Sequence, residues 1–538
     1  MNVEFVIRSD LHSRFYFPEN KHFNRFSEPL KLLIFCLLIM VQGIQAQTDK
    51  KPLRIELDSH PNSEPFQFIP LGSNGLLVIL KTNEIEEKNL RKWGFGFYGT
   101  DMELQWEFFH SINRNYEYSA YARTSEELSL FYYDHKSSAE NNTLIININN
   151  ETKQLRSVEG SVDKRYEPFV FVKRDKFCYL GSNAKTACKL FRIDTESGEI
   201  SDIKLNESGG VFLENICIDT LNNEIAVLTS MRNERRQSSL YLQRLDMAGN
   251  QKAFIPLMKG ENRKILTSAD YVSLGNGRFM VLGSFTVHPQ RRPVYVSDPE
   301  GAKATGFYRI ISESDINEPS VQFFSFGELS NFETYMRGTT THKNRRSIGS
   351  LFGSKTSDLE HSLIIHKIEK YKNIFLLLAE AFTSDYRNIT TIVYDYYGRP
   401  IPRTYSVFDG YRYRHAMVLA FDRLGRLIWD NGIEMSSIRT FTLAKKAAVY
   451  IDDNEAVMAY SNDGKIAWKP VKENHTGVSY ANIETKYSKD RVTNEQNNQF
   501  THWYDNYFLA SGYQTIVNNY LPSKNQRSIF FINKIAFD

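Results

Sequence analysis

Neither sign of charge predominates in this 538-residue sequence, where 66 Lys and Arg stand against 63 Asp and Glu. That balance gives no reason to expect a polyanion such as nucleic acid as a partner. Catalytic signatures are missing too. There is no His-Glu-x-x-His metal helix, no Gly-x-Ser-x-Gly elbow and no cysteine spacing of a zinc site. The 12 His residues are dispersed. His361 and His366 lie five apart beside an apolar strand, whose alternation sends them to opposite faces, so no metal is expected. No cofactor is expected either. "GFGFYG" at residues 94–99 fits a dinucleotide-binding pattern by letters, but its glycines alternate with aromatics inside a strand and a turn follows. "SNAK" at 182–185 matches a Ser-x-x-Lys pattern without any supporting motif.

Long apolar runs are also scarce. Residues 32–41, "LLIFCLLIMV", are ten apolar residues, too few to span a bilayer as a helix but enough for a signal-peptide core. Arg25 and Lys31 precede it and "GIQAQ" follows, so residues 1–46 read as a signal peptide cleaved after Ala46. The segment before the core is long and mixed in charge, which places the expected start downstream of Met1; an uncleaved anchor is the competing reading. Phe35 before Cys36 argues against lipidation there. The expected location is outside the cell or in the periplasm or envelope, with no membrane span after cleavage. Cysteine is rare, with four in the chain. Beyond the leader remain Cys178, Cys188 and Cys217. The first two lie in "FCYLGSNAKTACKLF", two short strands around a polar turn. A disulfide across that hairpin and two reduced core cysteines both fit.

What is present is β-structure, repeated. Aromatics are abundant, at 37 Phe and 30 Tyr, and the apolar period is two, with no 3.6-residue period. "AFDRLGRLIW" ends at Trp429, "AYSNDGKIAW" at Trp468 and "FYGTDMELQW" at Trp106. "RLDMAGNQKA" carries Asp246 and Gly249 where the first carries Asp422 and Gly425; "VYDYYGRPI" repeats the spacing at Asp395 and Gly398, and "FRIDTESGEI" stretches it by one residue, at Asp194 and Gly198. Asp captures backbone N–H groups ahead of it and Gly supplies positive φ, so each stretch reads as a hairpin.

A second element is a short apolar strand after a polar turn: "GLLVILKT", "ELSLFYYD", "KFCYLGSN", "EIAVLTSM", "GRFMVLGSF", "NIFLLLAEAF", "NEAVMAYS" and "NYFLASGY". A repeated all-β unit means a propeller or a solenoid. The variable period favours blades around a ring, because stacked coils tolerate insertions poorly. The expected fold is an all-β propeller of about seven blades, six to eight being compatible, in a single domain over residues 47–538. "LRIELD" and "RSIFFINKIAF" at the two ends are expected to complete one blade together. Polar insertions are expected near 337–362 and 471–499, and a split into two β-domains near residue 340 is the competing organisation.

"SNDGKIAW" is similar to the Asp-box of sialidase-type propellers, through Ser461, Asp463 and Trp468, with Gly464 one place early and Ala467 where that box has Thr. The resemblance implies a blade turn and no activity. As a whole the chain resembles exported β-propeller proteins of Bacteroidetes-type bacteria, through its "AQ" leader ending, its Asp-x-x-Gly hairpins and the terminal "FFINKIAF"; this implies no particular reaction.

Candidate binding residues are few. "FDGYRYRHA" gathers Tyr411, Arg412, Arg414 and His415, where aromatic faces suit sugar rings and Arg suits acidic groups. Glu380 in "LLLAEAF" is a carboxylate in an apolar strand, costly to bury unpaired and expected at a central channel or an exposed edge. Two function classes follow: a non-catalytic binding or scaffold propeller engaging protein or glycan at the cell surface, and a propeller glycoside hydrolase with two carboxylates at the channel mouth. No catalytic residue is assignable from the sequence, and oligomeric state is left open.

Overall fold

In the computed structural model, residues 53–537 are described except for 61–64, 87–88, 135–139, 186, 206–209, 233–237, 259–263, 288–302, 313–317, 332–359, 436–437, 454, 473–476 and 521–525. The expected leader and most of the insertion near 337–362 lie outside the described residues. All described residues belong to one unit from Pro52 onward.

The apolar strands decide the architecture. In the strand Ile374–Tyr394, Phe375, Leu377, Ala379 and Ala381 pack to one side while Leu376 and Leu378 pack to the other. A strand buried on both faces needs a continuous apolar run, and sheets must then lie on either side of it. The eight apolar stretches of the sequence form the second strands of eight antiparallel sheets. We number these blades in chain order. Blade 1 contains Leu76–Glu86 and blade 2 Glu127–Asp134; blade 3 contains Phe177–Asn183 and blade 4 Glu224–Arg232. Blade 5 contains Arg278–Thr286, blade 6 Ile374–Tyr394, blade 7 Ala456–Asn462 and blade 8 Tyr507–Val517.

Hydrophobic clusters join each blade to the next, from Phe95 with Leu130 between blades 1 and 2 round to Ala459 with Phe508 between blades 7 and 8. A further cluster, of Leu76 and Val78 with Leu509 and Phe530, joins blade 8 back to blade 1. The fold is therefore a closed propeller, with eight blades at the upper end of the expected range. Each large aliphatic side chain removed from water between blades contributes about 1.5–3 kcal/mol. Ring closure rests on Arg54–Asp58, which pairs with Gln526–Ala536 in full register from Arg54 opposite Asn533 to Asp58 opposite Ile529. The end strands thus cover one another's edges, as expected. Residue 340 falls between blades 5 and 6, which share one cluster.

Three local expectations are revised. First, the stretch 471–499 holds the outer strand Ser479–Asn482 of blade 7 and the start of the inner strand Arg491–Tyr504 of blade 8. It is polar because both strands have solvent-facing sides. Second, Cys178 and Cys188 form no disulfide. Cys178 is opposite Ile193 and Cys188 opposite Asn183 in the ladder, which puts the two thiols on opposite faces of blade 3, against blades 2 and 4 respectively. Third, the Asp-x-x-Gly turns are real hairpin turns but occupy two different places in a blade. Asp422 accepts the N–H groups of Leu424 and Arg426 with Gly425 at φ 71°, between the third and outer strands of blade 6. Asp395 does the same for Tyr397 and Arg399 with Gly398 at φ 72°, but between the second and third strands. The motif encodes a turn geometry, and the turn geometry carries no address within the blade.

Candidate functional site

Inner strands contact one another from blade 2 through blade 5 and between blades 7 and 8, and those of blades 2 to 6 are interrupted. Blade 2 bulges between Tyr118 and Ala120, blade 3 between Pro168 and Val170, and blade 4 between Leu213 and Asn215. In blade 5 the inner strand is split into Ile265–Leu266 and Asp270–Gly275, and in blade 6 into His361–Ile365 and Glu369–Tyr371. A break frees backbone N–H groups from the ladder, and buried ones need other acceptors. Side chains of neighbouring blades supply them.

Asn183 of blade 3 receives the N–H of Leu213 at 2.8 Å and donates to its carbonyl at 3.0 Å. Asn215 of blade 4 donates to Asp270 Oδ1 of blade 5. Asp270 Oδ2 accepts the N–H of Ile368, in the split of blade 6, at 2.7 Å, and Oδ1 also accepts its own neighbour Tyr271 at 2.9 Å. Glu380 of blade 6 accepts the N–H groups of Lys446 and Ala447 of blade 7 at 2.8 and 2.9 Å. His366 Nε2 lies 2.7 Å from the same Oε1.

Glu380 is thus neither a channel residue nor an edge residue. It is fully buried. Its strand position faces blade 7, and the split of blade 6 brings His366 to it. Tyr411 is half-buried, with its ring edge-on to Phe382 and Phe408 at 5.6 and 4.9 Å. Arg412 is exposed and paired with Asp385 at 2.5 Å, and Asp385 also holds Arg439. Arg414 is exposed, with Nε 3.2 Å from Thr383 Oγ1. His415 is buried against His361, with ring centroids 5.0 Å apart. Alternation and a bulge therefore scatter the five candidates over different surfaces. Glu380 looks to blade 7 and His415 packs beside His361 on the opposite face. His361 and His366 point to different partners, as their spacing predicts.

Sequence reasoning missed the polar groups that do gather at the inner layer: Asp270, Lys367, Glu369 and Lys445. Glu369 is half-buried, and burial pushes its carboxyl up to about 7 against the opposing pull of Lys445. Burial likewise raises Asp270, opposed by the N–H groups it accepts and by Lys367 and Lys445. Lys445 keeps a solvent-exposed surface, yet burial of its charged end and the neighbouring Lys367 lower it. The available signal was positional: "SADYV", "HKIEK" and "AKKAA" each place charge at the threshold of an inner strand. Their convergence needs the ring. Among the described residues, no group of three or more His, Cys, Asp or Glu is arranged to hold a metal.

A second polar feature is a cleft of about 680 Å³ between blades 1 and 2, lined among others by His110, Tyr116, Asp134, Asn142 and Glu159. Burial, then Glu159 and Asp134, push the Tyr116 hydroxyl up to about 12.

No protein-family model and no curated protein matches the chain. Solved structures do. The β-propeller domain of the Trilobed protease from Pyrococcus furiosus matches at 8% identity over 77% of this chain and 98% of that one, with a TM-score of 0.34. A GH93 α-L-arabinofuranosidase of Fusarium graminearum matches at 9% identity over 78% of this chain and 95% of that one, TM-score 0.33. A puromycin-hydrolysing peptidase of Mycobacterium tuberculosis matches at 7% identity over 79% of this chain, which spans 52% of the peptidase, TM-score 0.36. At such identities the likeness extends to the propeller fold alone. No helix among the described residues is long and apolar enough to cross a membrane.

Proposed function

We propose that this is an exported, non-catalytic propeller that binds protein or glycan at the cell envelope through the face on which Lys367, Glu369 and Lys445 meet. One observation carries this reading. Asp270 and Glu380, carboxylates of the inner layer, are committed to backbone N–H groups of the following blade. A carboxylate holding two blades together is not free to protonate a leaving group or activate water, and glycoside hydrolysis needs two carboxyl groups free to act. Glu369 and the two lysines are left as a mixed-charge patch that can exchange hydrogen bonds with a polar ligand.

A glycoside hydrolase is the second reading, favoured by Glu369 itself. A carboxyl raised to about 7 by burial has the acidity of a general acid. The test passes the mature chain over immobilised polysaccharides and envelope fractions, recording retention and released products. Retention without product, weakened by Glu369→Gln and Lys445→Ala, is expected. Oligosaccharide released by the wild type and lost in Glu369→Gln overturns binding in favour of hydrolysis.

A further inference from the structure

The seam between blades 1 and 2 changes character along its length. Part of it is closed by Phe95, Leu130 and Ile146. Beyond them it opens into the cleft of about 680 Å³. Alternation explains the opening. In the outer strand of blade 2, Leu155–Asp163, Leu155 packs into the seam, and Ser157 and Glu159 follow it on the same face. Glu159 stands opposite Leu144, and Asn142, two residues before Leu144, brings a further polar side chain to that face. In blade 1 the outer strand Leu104–Asn113 lays Trp106 and Phe108 into the seam, and His110 takes the next place in that series. Both walls thus turn polar together and do not pack on each other. Tyr116, in the connection between the two blades, forms a third side.

The protein leaves these side chains unsatisfied. Tyr116 is 7% exposed, His110 and Asn142 are half-buried, and Ser157 and Glu159 are exposed. Among the described residues, none of the five side chains has a hydrogen-bond or ion-pair partner. A phenol so deeply placed is ordinarily hydrogen-bonded. Here the hydroxyl lies in the field of Glu159 and Asp134 and bonds neither. Its partners must come from water or from a ligand that enters the cleft.

The donors and acceptors select the ligand. The Glu159 carboxylate only accepts, whereas Asn142, Ser157 and the Tyr116 hydroxyl each donate and accept. Burial lowers His110 from its ordinary value, so at neutral pH its ring offers one donor and one acceptor. An ammonium ion would use the acceptors and leave the donors idle. An anion would use the donors and meet Glu159 and Asp134, whose charges already push up the Tyr116 hydroxyl. A run of hydroxyl groups uses both kinds of partner. The volume, about 680 Å³, falls within the about 300–1,000 Å³ of small-ligand sites. We propose that the cleft between blades 1 and 2 binds a neutral saccharide unit, with Glu159 accepting from its hydroxyl groups and Tyr116, Asn142 and Ser157 completing its hydrogen bonds. This site goes beyond the function proposed above, because it shares no residue with the face at Lys367, Glu369 and Lys445.

An array of neutral, acidic and amino-substituted oligosaccharides, probed with the mature chain, tests this. Neutral glycans are expected to be bound in preference to the other two kinds. Calorimetric titration with the neutral oligosaccharide bound best on the array then compares variants. Glu159→Ala removes a charged acceptor and should weaken binding by at least about tenfold; Tyr116→Phe removes one hydroxyl and should weaken it about threefold or more. Ser157→Trp fills the cleft from an exposed position and should abolish binding. Circular dichroism checks that each variant is folded. An array that retains no neutral glycan overturns the proposal, as does a preference for acidic or amino-substituted ones. So does binding indifferent to Glu159→Ala and Ser157→Trp. Neutral-glycan binding that is lost in Lys445→Ala and kept in Glu159→Ala also overturns it, and assigns the sugar to the other face.

Discussion

His366 Nε2 and Glu380 Oε1 lie 2.7 Å apart between blades 6 and 7, and the same oxygen takes the N–H groups of Lys446 and Ala447. One atom of one side chain therefore fixes the split of its own blade and the entry of the next.

Replacing that side chain should loosen the ring at this joint. Glu380→Ala leaves two backbone donors and an imidazole without their acceptor, at a cost of about 3 kcal/mol. Glu380→Gln keeps an acceptor oxygen and should cost about 1 kcal/mol. Urea unfolding of the two variants against wild type gives both numbers. Equal losses would mean that the acceptor is not what matters.

Acid should weaken the seam of blade 6 with blade 5. Burial, then Arg414 and Lys303, lower His361 from 6.5 to about 4, and burial holds His415 well below its ordinary value. The unfolded imidazoles bind protons that the native ones refuse, so stability falls as pH drops from 6.5 toward 4. For His361 alone the loss is about 3 kcal/mol, complete below the native pKa and absent above the unfolded one. Thermal unfolding between pH 7 and pH 4 measures the slope, which His415→Leu should reduce.

Glu369 has the opposite dependence. Its carboxyl is raised from 4.5 to about 7, so the native state holds a proton that the unfolded state has released. Ionising it costs stability as pH climbs through that window, up to about 3 kcal/mol above pH 7. Glu369→Gln should therefore stabilise the protein at pH 8 and change little at pH 4. A variant equally stable at both would show the carboxyl to be unperturbed.

The thiols should be silent. Burial pushes Cys178 up to about 11 and Cys217 up to about 12, so neither presents thiolate at neutral pH. Ellman's reagent is expected to label Cys178, Cys188 and Cys217 only after unfolding, and reductant should leave the melting temperature unchanged. A reductant-dependent melting temperature would restore the disulfide.

Two glycines separate turn strain from packing. Gly249 has φ 92°, and a Cβ there would meet Ile203 at 2.7 Å; Gly398, in the turn between Ile374–Tyr394 and Pro400–Phe421, has φ 72° and open space around it. Gly398→Ala should cost about 1–2 kcal/mol in local conformation alone, and Gly249→Ala clearly more. Chemical denaturation compares them.

Much of the architecture was legible in the chain. The eight apolar stretches are the eight second strands, because only a strand buried between two sheets needs to be apolar without alternation. "LRIELD" and "RSIFFINKIAF" announced the closing pair, and Asp with Gly three or four residues on announced the turns. The site was less legible. Glu380 stood out as a carboxylate in an apolar run, but its partners come from residues 366, 446 and 447. Tyr411, Arg412, Arg414 and His415 are neighbours in sequence, and alternation disperses neighbours.

By itself, then, the sequence determined the unit, its turns and the ring that repeated units must form, since these follow from hydrophobic period and backbone conformation over a few residues. The tertiary structure alone decided which polar groups meet. Inner strands break, blades turn side by side, and the freed N–H groups select acceptors from the next blade. Asp270 with Ile368 lies across 98 residues and Glu380 with Lys446 across 66, separations at which no local pattern carries information.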